Sequence, residues 1–221
     1  MSQVILQNKI QKDYSAFKAI VDDTLTEVTA NMLDGITTIG ASTFLGCSLL
    51  TTVEIPDSVT TIGNLAFDDC RSLRNIKIPS SVTTIGSSAF ANCISLTSVE
   101  IPNSVTTIGN GAFSSCTSLS NVTISNNITV IPNACFAYCT ALTSLTLPST
   151  ITQIGDAAFQ NYSGTWESLT LLSTVPPTLG NYVFNGPIDN LTIYVPAESV
   201  ETYKTTGRWQ AYASKIQPIP T

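Results

Sequence analysis

Six cysteines and no histidine limit the chemistry open to this chain. A Ser-His-Asp or Cys-His nucleophile needs an imidazole base, and the sequence supplies none. Zinc wants clustered ligands, usually with histidine or paired C-x-x-C spacing. Here Cys47, Cys70, Cys93, Cys116 and Cys139 instead recur at one constant interval, and Cys135 joins Cys139 in a C-x-x-x-C string. Side chains at one phase of a repeat point the same way, and parallel Cβ vectors are poor geometry for a disulfide. Cysteine also behaves as a small buried hydrophobe, so the column reads as a ladder of buried thiols. The adjacent acids Asp68 and Asp69 invite comparison with glycoside chemistry, yet neighbouring loop residues face apart, and a solvated surface is the simpler role. Glycines recur at the repeat period rather than bracketing a phosphate, so no P-loop or dinucleotide fingerprint is present. The residues therefore point away from an enzyme, with no cofactor and no metal centre.

The elements that carry these residues are set by one period. Phe44, Phe67, Phe90, Phe113, Phe136 and Phe159 are evenly spaced, at the same interval as the cysteines, and a fixed period in the twenties signals a solenoid. Apolar columns run through Leu50, Leu73, Leu96, Leu119 and Leu142, then Val53, Ile76, Val99, Val122 and Leu145. A third follows at Ile55, Ile78, Ile101, Ile124 and Leu147. Val53 and Ile55 flank polar Glu54, the alternation of a half-buried strand. Pro56, Pro79, Pro102 and Pro148 end that strand, because proline cannot donate to a ladder. A second apolar pair, Val59 and Ile62, leads to Gly63, whose column (Gly40, Gly86, Gly109, Gly155) marks either a positive φ or a close backbone approach. Ala66, Phe67 and Cys70 form the last inward group, expected on a short helical turn. One unit cannot bury its apolar face alone, so the copies must stack as an array with capped ends.

The unit LxxVxIPxSVTTIGxxAFxxCxS, nearly exact from Leu50, Leu73 and Leu96, resembles the BspA-type leucine-rich repeat of bacterial surface proteins. The resemblance covers roughly 25 to 220. It implies an α/β-type repeat solenoid: a right-handed leucine-rich-repeat superhelix with a parallel strand per repeat, short helical or 3-10 turns opposite, and a small C-terminal cap. For activity it implies binding to protein or matrix, and adhesion, with no catalytic motif to carry over.

Charge narrows the partners. Only 11% of residues are charged and the net charge is −6, so neither a nucleic-acid footprint nor a polybasic membrane anchor is present. Between Glu100 and Asp156 there is no Asp, Glu, Lys or Arg. Ser, Thr and Asn at that surface offer short-range hydrogen bonds rather than long-range steering, which suits protein, extracellular-matrix or glycan surfaces, and equally a merely soluble solenoid. No apolar run is long enough to span a bilayer, and the first thirty residues lack the apolar core of a secretory signal. The expected setting is secreted or cell-surface, the expected state a monomer.

Three segments are expected. Residues 1–24 form an N-terminal extension: a helix over Val4–Phe17 on the face of Leu6, Ile10, Tyr14 and Phe17, then a strand or hairpin turning at Asp22-Asp23. Residues 25–196 form the solenoid of about seven repeats. Residues 197–221 form a helical cap, in which YVPAESVETYKTTGRWQAYASKIQPI is similar to the family's C-terminal cap and Trp209 belongs to the cap core. After Phe159 the period stretches before Phe184, Tyr162 takes the cysteine position and Pro176-Pro177 interrupts. Trp166, Tyr162 and Tyr182 are the aromatic candidates for an exposed contact, with cap core as the competing role. The strand-face candidates are Thr52, Glu54, Asn75, Lys77, Ser98, Glu100, Asn121, Thr123, Ser144 and Thr146. Glu54, Lys77 and Glu100 would fall on adjacent strands, where opposite charges support register or form a charged end to the binding face. The reading is a non-enzymatic binding or adhesion solenoid; the alternative is a structural spacer or tail-type component of a phage or surface assembly.

Overall fold

The alternation around Val53 and its equivalents folds into a ladder of short parallel strands, one per coil. In the computed structural model, which describes residues 25–163 and 165–221, these strands are Glu27–Val28, Thr52–Val53, Asn75–Lys77, Ser98–Glu100, Asn121–Thr123, Ser144–Leu147, Ser168–Leu171 and Thr192–Val195. The helix and turn expected within 1–24 lie outside the described residues. A second parallel ladder follows the Thr-Ile strings, with strands Thr38–Ile39, Thr61–Ile62, Thr84–Ile85, Thr107–Ile108, Val130–Ile131, Gln153–Ile154 and Thr178–Leu179. Between the ladders lies one continuous apolar core containing every residue of the Phe column and the whole Cys column.

The stretched period near the C-terminus is two separate insertions. In the central coils the registers of both ladders follow the regular repeat, as in Asn75 with Ser98 and Thr61 with Thr84. Ser144 pairs with Ser168, one position beyond that spacing, whereas Gln153 pairs with Thr178, two positions beyond it. One extra residue therefore enters before the first-ladder strand and another between the two ladders, at the Pro176-Pro177 connection. Each ladder keeps its own register, because a one-residue slip would turn its buried side chains outward.

Close approach, not a positive φ, explains the glycine column. A Cβ on Gly63 would stand 2.7 Å from the Ala41 nitrogen and 2.9 Å from the Ile39 carbonyl oxygen. The same glycines donate to the preceding coil, as Gly63 N to Ile39 O and Gly86 N to Ile62 O, both at 2.8 Å. Pro132 occupies this position in the Phe136 coil and has no N–H to give. The second ladder is interrupted there, between Thr107–Ile108 and Val130–Ile131.

The Ala-Phe-Cys arm is a stack of turns. Bonds such as Leu45 N to Ser42 O and Cys47 N to Phe44 O have the i to i+3 pattern of a 3-10 helix. They never run on into a helix, because left-handed residues interrupt them, Leu65 (φ 58°) and Asp69 (φ 63°) in one coil and Ser88 (φ 52°) and Asn92 (φ 55°) in the next. Alternate amides are thereby freed to bond the following coil: Leu65 N to Ser87 O, Phe67 N to Ala89 O and Asp69 N to Ala91 O, at 2.7–2.9 Å. Within this third stack the rings of Phe44 through Phe159 lie nearly parallel, with centroids 5.1 to 6.2 Å apart.

The chain end differs from a simple helical cap. Val200–Thr205 is α-helical and Gly207–Lys215 is a 3-10 helix, but Ile216–Pro218 returns to the first ladder and pairs in parallel with Ile193–Val195. Ile216 is buried as a strand residue, not as the last position of a helical stripe. Trp209 lies in the core, with its indole N–H donating to Pro177 O at 2.7 Å, and Tyr203 donates to Ser173 O at 2.9 Å.

Candidate functional site

Outward positions of the first ladder form two rows of short polar side chains. Register sets Asn75, Ser98 and Asn121 side by side, and likewise Lys77, Glu100 and Thr123. Thr52, Glu54, Asn75, Lys77, Glu100, Asn121, Thr123, Ser144 and Thr146 are exposed and Ser98 is half-buried, while the intervening Val53, Ile76, Val99 and Leu145 face the core. The structure thus brings the strand-face candidates onto one surface.

That surface extends further than the candidates named from sequence. Ser144 and Thr146 are paired with Ser168 and Thr170, which are followed by Thr192 and Tyr194. The sequence signal was present, since Ser168–Leu171 repeats the letters of Ser144–Leu147. It is obscured when copies are aligned on phenylalanine, because the stretched period puts the strands out of phase with that column.

Open depressions along the face have different linings. One of about 280 Å³ is lined by polar Ser120, Asn121, Ser144, Thr146, Ser168 and Thr170. Another of about 560 Å³ lies where Lys77 stands among Asp57, Ser80 and Glu100. Lys77 and Glu100 are in register, yet the ion pairs among the described residues are Arg71–Asp69 at 2.7 Å and Lys204–Glu201 at 3.1 Å. Register support through a Glu54–Lys77–Glu100 ion pair is therefore corrected: Lys77 and Glu100 are exposed without an ion-pair partner, and exposed pairs gain little. Glu54 instead accepts a hydrogen bond from the Ala30 amide at 3.1 Å.

The aromatic candidates separate. Trp166 is 2% exposed and unavailable to a partner. It stands three positions before Leu169, as Leu142 stands before Leu145, and so fills the leucine column. Its indole N–H donates to Phe159 O at 3.2 Å, and its ring meets Phe159 and Phe184 edge-on. Tyr182, 73% exposed, and Tyr162 are on the surface but belong to the turn stack, away from the strand rows. Tyr162 tilts against Tyr138 with centroids 6.0 Å apart.

Asp68 and Asp69 do not act as a pair. Asp68 accepts from Asn92 Nδ2 at 2.8 Å while Asp69 holds Arg71. The thiols of Cys70, Cys93, Cys116 and Cys139 each donate to the carbonyl of the phenylalanine one coil back, at 3.1–3.2 Å. Burial pushes the Cys93, Cys116, Cys135 and Cys139 thiols up; for Cys70 the hydrogen bond with the Cys47 thiol comes first and burial second. Among the described residues no cluster of three or more His, Cys, Asp or Glu side chains could hold a metal ion, and no helix is long and apolar enough to cross a membrane.

Parallel ladders repeated at a single period around a Leu, Phe and Cys core define a leucine-rich-repeat solenoid. The chain belongs to the family of the BspA type leucine rich repeat region, whose profile matches six copies across residues 37–166. It is similar in structure to a leucine-rich repeat protein from Bacteroides ovatus, with 25% identity, a TM-score of 0.60 and 83% of this chain covered. It also resembles the T. pallidum leucine rich repeat protein, with 33% identity, a TM-score of 0.60 and 66% of this chain covered. The match spans 58% of the former protein and 69% of the latter. No curated protein matches the chain in sequence.

Proposed function

We propose that this chain is a non-enzymatic binding solenoid displayed at a bacterial surface, with the outward rows of the first ladder as its docking face for protein, matrix or glycan partners. One observation carries the reading: exposed Ser, Thr and Asn side chains repeat in register across consecutive parallel strands, over a core that uses the opposite side chains. Short hydroxyl and amide side chains lose little rotamer freedom on binding and present donors and acceptors at strand spacing. A polar, nearly uncharged row is specific through geometry rather than through electrostatic steering.

The test is a screen of the purified chain against extracellular-matrix proteins and glycans, repeated with Thr123→Arg and Thr146→Arg. Both positions are exposed, so melting should move little while affinity for any hit falls at least about tenfold, equivalent to about 1.4 kcal/mol. A hit unaffected by either change overturns the assignment of the face. No binding by a folded protein favours the structural-spacer reading.

A further inference from the structure

A cleft of about 350 Å³ opens on the other side of the molecule, between the C-terminal 3-10 helix and the last coil of the second ladder. It is lined by Leu179, Gly180, Tyr182, Arg208, Gln210 and Tyr212. Arg208 is exposed and forms no ion pair or hydrogen bond among the described residues. Asp156, the carboxylate beside Gly180, does not line the cleft. It is held by the Asn181 backbone N–H at 2.7 Å and side-chain amide at 3.2 Å. Arg208 thus lines an open cleft without an ion-pair or hydrogen-bond partner, whereas Lys77 on the strand face has Asp57 and Glu100 beside it.

The aromatic walls are set differently. Tyr212 is fixed edge-on against Phe184, with centroids 5.4 Å apart, while Tyr182 leaves most of its ring in solvent. Gln210 already donates to Thr205 O at 2.6 Å, which fixes its amide and leaves its oxygen as an acceptor. Gly207 also lines the cleft, with φ +48° and open space where a Cβ would stand.

We infer that this cleft is a binding site for a carboxylate-bearing pyranose, such as a uronic acid unit of an acidic glycan. A planar guanidinium matches a carboxylate with two parallel hydrogen bonds. A tyrosine ring offers an apolar face to the C–H side of a sugar and a hydroxyl to its edge. The volume lies at the low end of small-ligand sites, which suits one terminal sugar. The site does not depend on the strand face.

Isothermal titration of the full chain with a glucuronic-acid-terminated oligosaccharide, its glucose-terminated counterpart and sodium acetate tests the assignment. The acidic sugar should bind, weakening as salt is raised, and the neutral sugar and acetate should bind at least about tenfold more weakly. Arg208→Gln should abolish the difference between acidic and neutral sugars, and Tyr182→Ala should weaken both. Thr123→Arg should leave the acidic sugar unaffected, so this site and the strand face can fail separately. Equal binding of the two sugars, an unaffected Arg208→Gln variant, binding of acetate as strong as that of the acidic sugar, or no binding of the acidic sugar would each overturn it.

Discussion

The thiols of Cys70, Cys93, Cys116 and Cys139 each donate to a carbonyl one coil back, at 3.1–3.2 Å, inside a core from which water is excluded. Their burial could be read from the phase of the cysteines alone, since residues of one phase share one environment, but the carbonyl each thiol meets could not. The same reasoning left the glycine column ambiguous, because a positive φ and a close approach demand the same residue. A pH dependence follows from the thiols. In the unfolded chain they ionise near pH 8.5, whereas in the folded chain burial, and for Cys70 first the bond to Cys47, raises the pKa of five of them. A raised acid keeps its proton in the folded state while the unfolded chain loses it. Stability is therefore full below about pH 8.5 and falls as pH rises, by about 1.4 kcal/mol per thiol one unit higher. Thermal melting at pH 7.5, 8.5 and 9.5 should show a steep alkaline loss, and Cys116→Ala, referenced to its own value at pH 7.5, should lessen it by one thiol's share. A flat profile would contradict this account.

At the scale of elements, the first ladder and the short turns opposite it were legible, while the second ladder and the left-handed backbone of the turns were not. Val53, Ile76 and Val99 alternate with polar neighbours, so the first ladder could be placed from the residues. Val59 and Ile62 read only as an apolar pair, and a two-residue strand such as Thr61–Ile62 is too short to show an alternation. The turn stack depends on left-handed backbone at Leu65, Ser88 and Tyr138, residue types that give no such signal; the following coil's carbonyls impose it by taking their amides. Trp166 was ambiguous for a related reason: its role depends on where the inserted residue falls, and strand register decides that. The Phe column makes a prediction for the stack as an element. Phe113 is fully buried between Phe90 at 5.3 Å and Phe136 at 5.6 Å. Phe113→Ala should cost about 3–5 kcal/mol in chemical denaturation, because neighbouring coils cannot collapse into the gap without breaking their turn bonds. Tyr182→Ala, at an exposed position of the same stack, should stay within about 0.5 kcal/mol.

Along the whole molecule, three hydrogen-bonded stacks join the coils, and they are not equally continuous. The turn stack runs unbroken from Ser42 through Leu65, Ser88, Gly111, Ala134 and Ala157, each bonding the following coil. The first ladder is interrupted between Thr52–Val53 and Asn75–Lys77 and again between Asn121–Thr123 and Ser144–Leu147, and the second between Thr107–Ile108 and Val130–Ile131. The last two of these breaks flank the Phe136 coil, which is joined to its predecessor by the first ladder and to its successor by the second. Pro132 accounts for one break, and this coil also carries Ser125 in place of the strand-ending proline and leaves Val122 half-buried. Side-chain bonds substitute in part: Ser125 Oγ donates to Val105 O at 2.9 Å and Asn127 Nδ2 to Asn103 O at 2.7 Å. Stability in a stacked array is a sum of coil terms and neighbour terms, so a coil with fewer ladder bonds opens locally at lower cost. Amide hydrogen exchange on the intact chain should therefore dip in protection across residues 119–133, with higher protection on both sides, over 75–108 and 144–171. One or two missing backbone bonds at about 1 kcal/mol each correspond to exchange about ten times faster. Protection that declines only from the two ends of the array, with no interior minimum, would mean that the turn stack alone couples the coils and that the ladder breaks carry no energetic weight.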